Sequence, residues 1–423
     1  KDTDYYSPIL YVLKLIEKNS QTSFSLLPSA AEAHIIWDDG HKDSATISRS
    51  FYAQLAALSE EASFLDILSP QCTIQDAQGQ DDLIASIFYM VNCVQEFRPA
   101  QEDLDHFGRF RYQSSFQARH QNIGENLVEK YIERFCQKYG IKRTKRKSTF
   151  FISHDIDTIY GSFLQDGFWA VKKLQIGTIL KLIAWELSRK PHWRNIDKIL
   201  KINHEYDVRT TFFWLVNQGK GTQGIMNADY QLKKERDLPQ LVQASDHING
   251  LHKSCSPMSI DEELDEADLD TTYNRYHFLN FLPHRDWPKI SQSRLNFDCS
   301  LGFAEQYGFR NSYGMAFQPY DLHKQQLYDF VEAPLTFMDG TFHKYMKLPV
   351  KQTAQIVIDF YQQNAENCDL SLLWHNTYFT NYKYKSYLEE YKKILAFIYE
   401  EKVACLGPKE LVETHKLEWN DHL

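Results

Sequence analysis

Thr149-Phe150-Phe151-Ile152-Ser153-His154-Asp155-Ile156-Asp157 is the stretch on which the reading of this chain turns. Its first five residues form a short run rich in aromatic and β-branched side chains, which predicts a buried strand over 149–153. The run ends in two carboxylates separated by one residue. In β/α architectures the chemical groups gather at the C-terminal ends of parallel strands. Two carboxylates this close resist joint ionisation unless a cation lies beside them. A metal ion held by one of them removes the conflict, and the other can then act as a base toward water. Strand-end aspartates also cap helices, so the pair gains meaning only from the rest of the chain.

Downstream, strand and helix signals alternate. Strands are expected at Arg209 to Leu215, Ile248 to Leu251, Tyr276 to Phe281, Leu370 to Trp374 and Val403 to Leu406. Helices are expected at Leu180 to Leu187, at Ile196 to Tyr206, from Leu238, at Asp261 to Asp270, and along the face Tyr387, Tyr391, Ile394 and Ile398. This alternation implies parallel pairing in an α/β layer or barrel. Two of the strands end in histidine, His252 and His375, which brings them to the rim that carries Asp155 and Asp157. Arg275 and His277 stand two apart at the head of another strand, so both point the same way. A guanidinium near Asp155 would keep that carboxylate ionised, and His277 reads as a ligand or a substrate contact.

With 423 residues the chain exceeds one ordinary core, so two domains are expected, 1–147 and 148–423. The first reads as a smaller α/β unit. It has a helix over Ile9 to Ile16, a strand His34-Ile35-Ile36-Trp37, and a buried helix over Leu83 to Val91. A last helix has its apolar face at Leu127, Val128, Tyr131, Ile132 and Phe135, and Gly140 stops it. Lys142-Arg143-Thr144-Lys145-Arg146-Lys147 reads as a solvated linker, with an anion or membrane contact as the alternative. The formal charge of −9 excludes nucleic acid as the main partner. Aromatic residues make up 14% of the chain, enough to fill a large core or line a sugar-binding cleft, and the core is the simpler use. The seven cysteines form no CxxC pair and leave one over, which points to reduced thiols and the cytoplasm, though a leader could have been removed. No apolar run reaches the length of a membrane span. The segment from Ser162 to Trp193 reads as a packed helical pair, with a lid as the alternative.

Several of these segments together resemble the polysaccharide deacetylase superfamily (NodB homology, carbohydrate esterase family 4). They are His154-Asp155-Ile156-Asp157, Thr210-Thr211-Phe212-Phe213, Gly250-Leu251-His252-Lys253-Ser254, Arg275-Tyr276-His277-Phe278, Asp298 to Glu305 with Gly308-Phe309-Arg310, and Leu373-Trp374-His375-Asn376. Asp105-His106-Phe107-Gly108-Arg109-Phe110 resembles part of the domain that precedes the deacetylase in one bacterial branch. The resemblance implies an α/β fold built as a distorted (β/α) barrel of about seven strands, binding zinc or a similar divalent ion. It implies Asp155 as general base, Arg275 as the residue orienting it, and His375 as general acid. Asp157 and His252 would be metal ligands. The position four residues after His252, where the superfamily has a second histidine, is Ser256. His277 is the expected third ligand, with Ser256 or Cys255 as alternatives, while His247 should face the other way. The function implied is hydrolysis of a non-peptide amide, removing acetyl from an N-acetylated sugar, polysaccharide or small metabolite. The alternatives are a silent carbohydrate-binding homologue and an amidohydrolase acting on a non-sugar amide.

Overall fold

The structure is a computed structural model describing residues 3–24, 35, 45–58, 63–161, 163–188, 193–380 and 384–417. Eight strands pair in parallel: β1 (Thr149–Ile156), β2 (Thr211–Trp214), β3 (Ile248–Lys253), β4 (Tyr273–Tyr276), β5 (Phe297–Asp298), β6 (Val331–Glu332), β7 (Leu335–Met338) and β8 (Asp369–Leu373). Their order across the sheet is β6-β5-β4-β3-β2-β1-β8-β7. A flat sheet of this width would hold its edge strands more than about 30 Å apart. Yet β6 and β7 are the two edges, and only Ala333 and Pro334 separate them in sequence. That much chain spans at most roughly 11 Å, so the sheet must curl until its edges are neighbours. Leu335 N, at the start of β7, accordingly donates to Leu301 O just beyond β5, at 2.9 Å. The fold is therefore the expected α/β barrel, with eight strands rather than seven.

β1 runs through the middle of the sheet and is buried along its whole length. Strand alternation divides its side chains. His154 faces the surrounding helices, where its Nδ1 donates to Trp374 O at 2.8 Å and its Nε2 lies 3.1 Å from Asn203 Nδ2. Burial pushes His154 down to about 3, so it is a neutral core imidazole. Ser153 and Asp155 point instead into the barrel. The outer layer includes the helices Ile196–Glu205 and Tyr387–Glu400, each burying one apolar face at the 3–4 spacing read from sequence.

Several sequence expectations need correction. The strand expected over 276–281 is β4 at Tyr273–Tyr276, followed by a short 3-10 turn over His277–Leu279. Phe278 and Leu279 take positive φ (63° and 50°), which no strand ladder accepts. The strand expected at 403–406 is a single bridge, Phe150 to Cys405. The segment 34–37 lies outside the described residues, Ile35 excepted.

The first third holds α1 (Thr3–Lys18), α2 (Arg49–Ala57), α3 (Leu83–Val91), α4 (Phe116–His120) and α5 (Leu127–Lys138); α3 packs against both α1 and α5 and is buried on nearly every side. Among the described residues there, strand pairing is confined to a two-residue ladder, 74–75 with 81–82, and isolated bridges. One continuous apolar core runs from these helices into the barrel. Residues 142–147 are not a free linker. Arg143 is buried against Glu129 at 2.6 Å, Arg146 pairs with Asp369 at 2.7 Å, and Lys147 Nζ donates to Glu401 O at 2.6 Å. Arg143 and Arg146 are thus consumed in internal pairing, while Lys142, Lys145 and Lys147 stay exposed.

Candidate metal and catalytic site

The C-terminal ends of β1, β3, β4, β7 and β8 converge on one small group of side chains. Asp155 Oδ1 accepts from Arg275 Nη1 at 2.9 Å, and Arg275 Nη1 also donates to Ser153 Oγ at 2.7 Å. Arg275 Nε donates to Cys299 O at 3.1 Å, and its guanidinium lies over the Phe213 ring at 4.8 Å. Gly250 lets that ring sit there, since a Cβ at 250 would come within 2.5 Å of it. Three of the quoted motifs therefore converge on holding one fully buried guanidinium against one carboxylate. Arg275 and His277 both reach the site, though not as neighbours on one strand face. Arg275 does so from inside β4 and His277 from the turn beyond it.

Asp157, His252 and His277 form a triangle. His252 Nε2 lies 3.1 Å from His277 Nδ1 and 3.4 Å from Asp157 Oδ1, and His277 Nδ1 lies 3.7 Å from that same oxygen. The outer nitrogens of both rings face main-chain carbonyls, His252 Nδ1 to Arg275 O at 2.9 Å and His277 Nε2 to Met226 O at 3.0 Å. A carbonyl only accepts, so those nitrogens carry the hydrogens in the neutral rings. The inner nitrogens are then two lone pairs aimed at each other. Asp157 Oδ1 is buried and has no hydrogen-bond partner. Three acceptors facing one point need a cation among them, a proton or a metal ion. A tetrahedral zinc ion with bonds of about 2.0–2.1 Å holds its ligand atoms about 3.3 Å apart, close to the separations seen here. The residues present fit such an ion.

The electrostatics follow this layout. Burial would raise Asp157, but His277, His252 and His375 hold it well below the usual carboxylate range. His252 is lowered by burial yet raised overall by Asp155 and Asp157. His277 is pushed down to about 4, by burial first and by its neighbour His252. The metal-free pair thus favours one proton, placed on His252.

His375 stands across the site, with Nε2 3.8 Å from Asp157 Oδ2. Its Nδ1 donates to Asp339 Oδ1 at 2.7 Å, and its backbone N donates to Asp339 Oδ2 at 2.6 Å. Burial opposes its charge, but the buried Asp339 carboxylate wins and raises His375 to about 9. Asp339 was not singled out in the sequence, although Leu335-Thr336-Phe337-Met338-Asp339-Gly340 carries the same apolar-run-then-acid signal as β1.

The alternative ligands lie elsewhere. Ser256 Oγ donates to Glu263 Oε1 at 2.8 Å, and Lys253 and Ser254 also bond that buried carboxylate. Cys255 is raised to about 11, chiefly by burial, so its thiol stays protonated and is a poor ligand. His247 faces away and accepts from Thr210 N at 3.0 Å.

A second residue not singled out is Arg109, from the first third of the chain. With Asp155, Asp157, His277, Lys344, Tyr345 and His375 it lines the cleft over the site. Asp105 Oδ2 neutralises it at 2.7 Å. Arg109 Nη1 donates to Phe278 O at 2.8 Å, one residue past His277, and the Phe107 and Phe278 rings meet edge to face. The only sequence signal was the segment Asp105 to Phe110, whose target could not be read.

Residues 25–141 match a family model described as "Family of unknown function (DUF7033)". No curated protein matches the chain. Among solved structures it is similar to a candidate polysaccharide deacetylase from Mycobacterium smegmatis, with 12% identity, TM-score 0.39, and coverage of 66% of this chain and 96% of that one. It is also similar to the polysaccharide deacetylase Bc1974 from Bacillus cereus, with 12% identity, TM-score 0.32, and coverage of 62% and 92%. A third is BA3943 from Bacillus anthracis, a carbohydrate esterase family 4 pseudoenzyme, with 10% identity, TM-score 0.27, and coverage of 64% and 68%. At these values the likeness says nothing about activity.

Proposed function

We propose that this chain is a metal-dependent hydrolase of a non-peptide amide, removing the acetyl group from an N-acetylated sugar or polysaccharide. The observation that carries the reading is the triangle of Asp157, His252 and His277, with Asp155 3.5 Å from His252 and His375 3.8 Å from Asp157. Asp157 Oδ1, His252 Nε2 and His277 Nδ1 would hold the ion, with zinc suited to a site of two imidazoles and one carboxylate. When bound, the ion supplies Lewis acidity toward the acetyl carbonyl and makes water easier to deprotonate. Asp155, fixed by Arg275, accepts a proton from the attacking water. His375, kept cationic by Asp339, returns a proton to the departing nitrogen. The same division of labour between two titratable groups with opposed environments recurs in acid–base catalysis generally.

The test pairs zinc titration of chelator-treated protein with acetate release from N-acetylated oligosaccharides. One equivalent of tightly bound zinc together with acetate release supports the reading. Stoichiometric zinc without acetate release from any N-acetylated sugar sinks the substrate assignment, and absence of both leaves a silent carbohydrate-binding homologue. His277→Ala is expected to weaken zinc by more than the roughly 10–100-fold that even an outer-shell partner commands, whereas Cys255→Ser should leave affinity unchanged. Equal zinc affinity in His277→Ala and the parent would remove His277 from the ligand set.

The His375 assignment has its own signature. Because the active form is protonated and the imidazolium persists to about 9, kcat/KM should decline only as pH rises through that value. Asp339→Asn removes the stabilising charge, lowers the imidazolium's pKa and moves the alkaline limb to lower pH. An alkaline limb that stays in place in Asp339→Asn would show that another group supplies the proton.

A further inference from the structure

Leaving β1, the chain is pinned by Asp229, which accepts from the backbone N of Ile159, Tyr160 and Gly161 at 2.9, 3.1 and 2.7 Å. It then runs out into two helices, α6 (Phe163–Lys172) and α7 (Ile176–Ser188), which pack chiefly on each other. The hairpin therefore rises from the rim that carries Asp157. Read from sequence as a packed pair, it buries Ala170 and Leu182 but turns an apolar stripe outward. On α7 the stripe is Ile176, Leu180, Ile183 and Leu187, four residues at the 3–4 spacing of one helix face. Phe168 and Val171 on α6, with Leu174 in the turn, extend it. The exposures are large: Leu174 86%, Leu187 81%, Phe168 73% and Ile176 71%. Single exposed apolar residues are ordinary, but a contiguous set marks a surface that something covers.

Charge identifies the cover. Lys172, Lys173 and Lys181 are exposed on the same hairpin. From residue 163 to 190 the sequence carries these three with Arg189 and Lys190 against Asp166 and Glu186, in a chain whose formal charge is −9. An aliphatic stripe edged by lysines is the arrangement by which helices lie in a membrane interface, apolar side in the acyl boundary and cations at anionic headgroups. No described helix is long and apolar enough to cross a membrane, which is consistent with lying on a bilayer rather than through it. We propose that the α6–α7 hairpin docks this protein on an anionic lipid surface, with the mouth of the barrel beside that surface. This does not depend on the hydrolase reading, since it rests on the hairpin alone.

The test is sedimentation of the full chain with vesicles of phosphatidylcholine alone or mixed with phosphatidylglycerol. Co-sedimentation with the mixed vesicles that weakens as salt rises is expected. Leu180→Asp with Leu187→Asp should reduce that binding by at least about tenfold. Lys172→Glu with Lys173→Glu should abolish the preference for phosphatidylglycerol. All four side chains are exposed, so urea unfolding midpoints should match the parent. Failure to sediment with either vesicle overturns the proposal, as does binding that these substitutions leave unchanged. A dimer in sedimentation equilibrium that Leu180→Asp dissociates, without vesicle binding, would assign the stripe to a second copy of the chain and overturn it too.

Discussion

Asp155→Asn is expected to lower the rate of amide hydrolysis by roughly 10²–10⁴-fold, the range attached to a positioned general base. The amide keeps the shape of the carboxylate and can still accept from Arg275 Nη1, so the substrate pocket should survive. What it loses is the ability to take a proton. The substitution also leaves a fully buried guanidinium without its counter-charge, and Arg275 Nη2 already has no hydrogen-bond partner. Some loss of stability is therefore expected alongside the loss of rate. Zinc titration separates the two effects. The Asp155→Asn protein should bind zinc with the parent stoichiometry, because Asp157, His252 and His277 are untouched. A variant that binds zinc normally and turns over at more than a tenth of the parent rate would remove Asp155 from the base role.

The second large effect concerns stability. Glu96 and Arg310 form a two-point ion pair, Nε to Oε1 at 3.0 Å and Nη2 to Oε2 at 2.6 Å, with side-chain exposures of 0% and 1%. Arg310 Nη1 donates in addition to Gly302 O at 2.9 Å. Removing one member of such a pair strands the other charge in a medium that cannot solvate it, at a cost of about 3–5 kcal/mol. Glu96→Ala should lower the free energy of unfolding in urea by that amount, with an unchanged dependence on denaturant. Replacing both residues by apolar ones should recover much of the loss. If Glu96→Ala unfolds within about 1 kcal/mol of the parent, solvent reaches the pair and the burial argument fails.

The parts of this architecture that could be read from sequence are those in which one strand carries its own signal. β1, β2 and β8 are largely apolar runs, β3 runs from Ile248 through Leu251 into His252, and each lies within a few residues of its expected range. β5 and β6 contain two residues each, Phe297–Asp298 and Val331–Glu332, too few for a period of two to show. The run Tyr276 to Phe281 has the composition of a strand, but two consecutive residues with positive φ break it after Tyr276. That break turns His277 toward His252. The candidate site was legible where its groups sit at strand ends, as Asp155, Asp157, His252 and His375 do. Asp339 carried the same signal in a shorter run. Arg109 stands in the quoted segment Asp105 to Phe110, but nothing there points to its partner, because Phe278 O lies 169 positions away.

The bond from Arg109 to the carbonyl of Phe278 couples two parts of the chain through a single turn. Arg109 braces the turn that carries His277, and the 105–109 loop is braced in return by that bond and by Asp105. Two equilibria that share one element obey reciprocity: whatever free energy the first contributes to the second, the second returns. A cation bound through His277 would therefore tighten the seating of the 105–109 loop by the same factor that the loop tightens the cation. Through Arg109, the 105–109 loop, which lies in the segment matched by a family of unknown function, is thus thermodynamically linked to the barrel's rim.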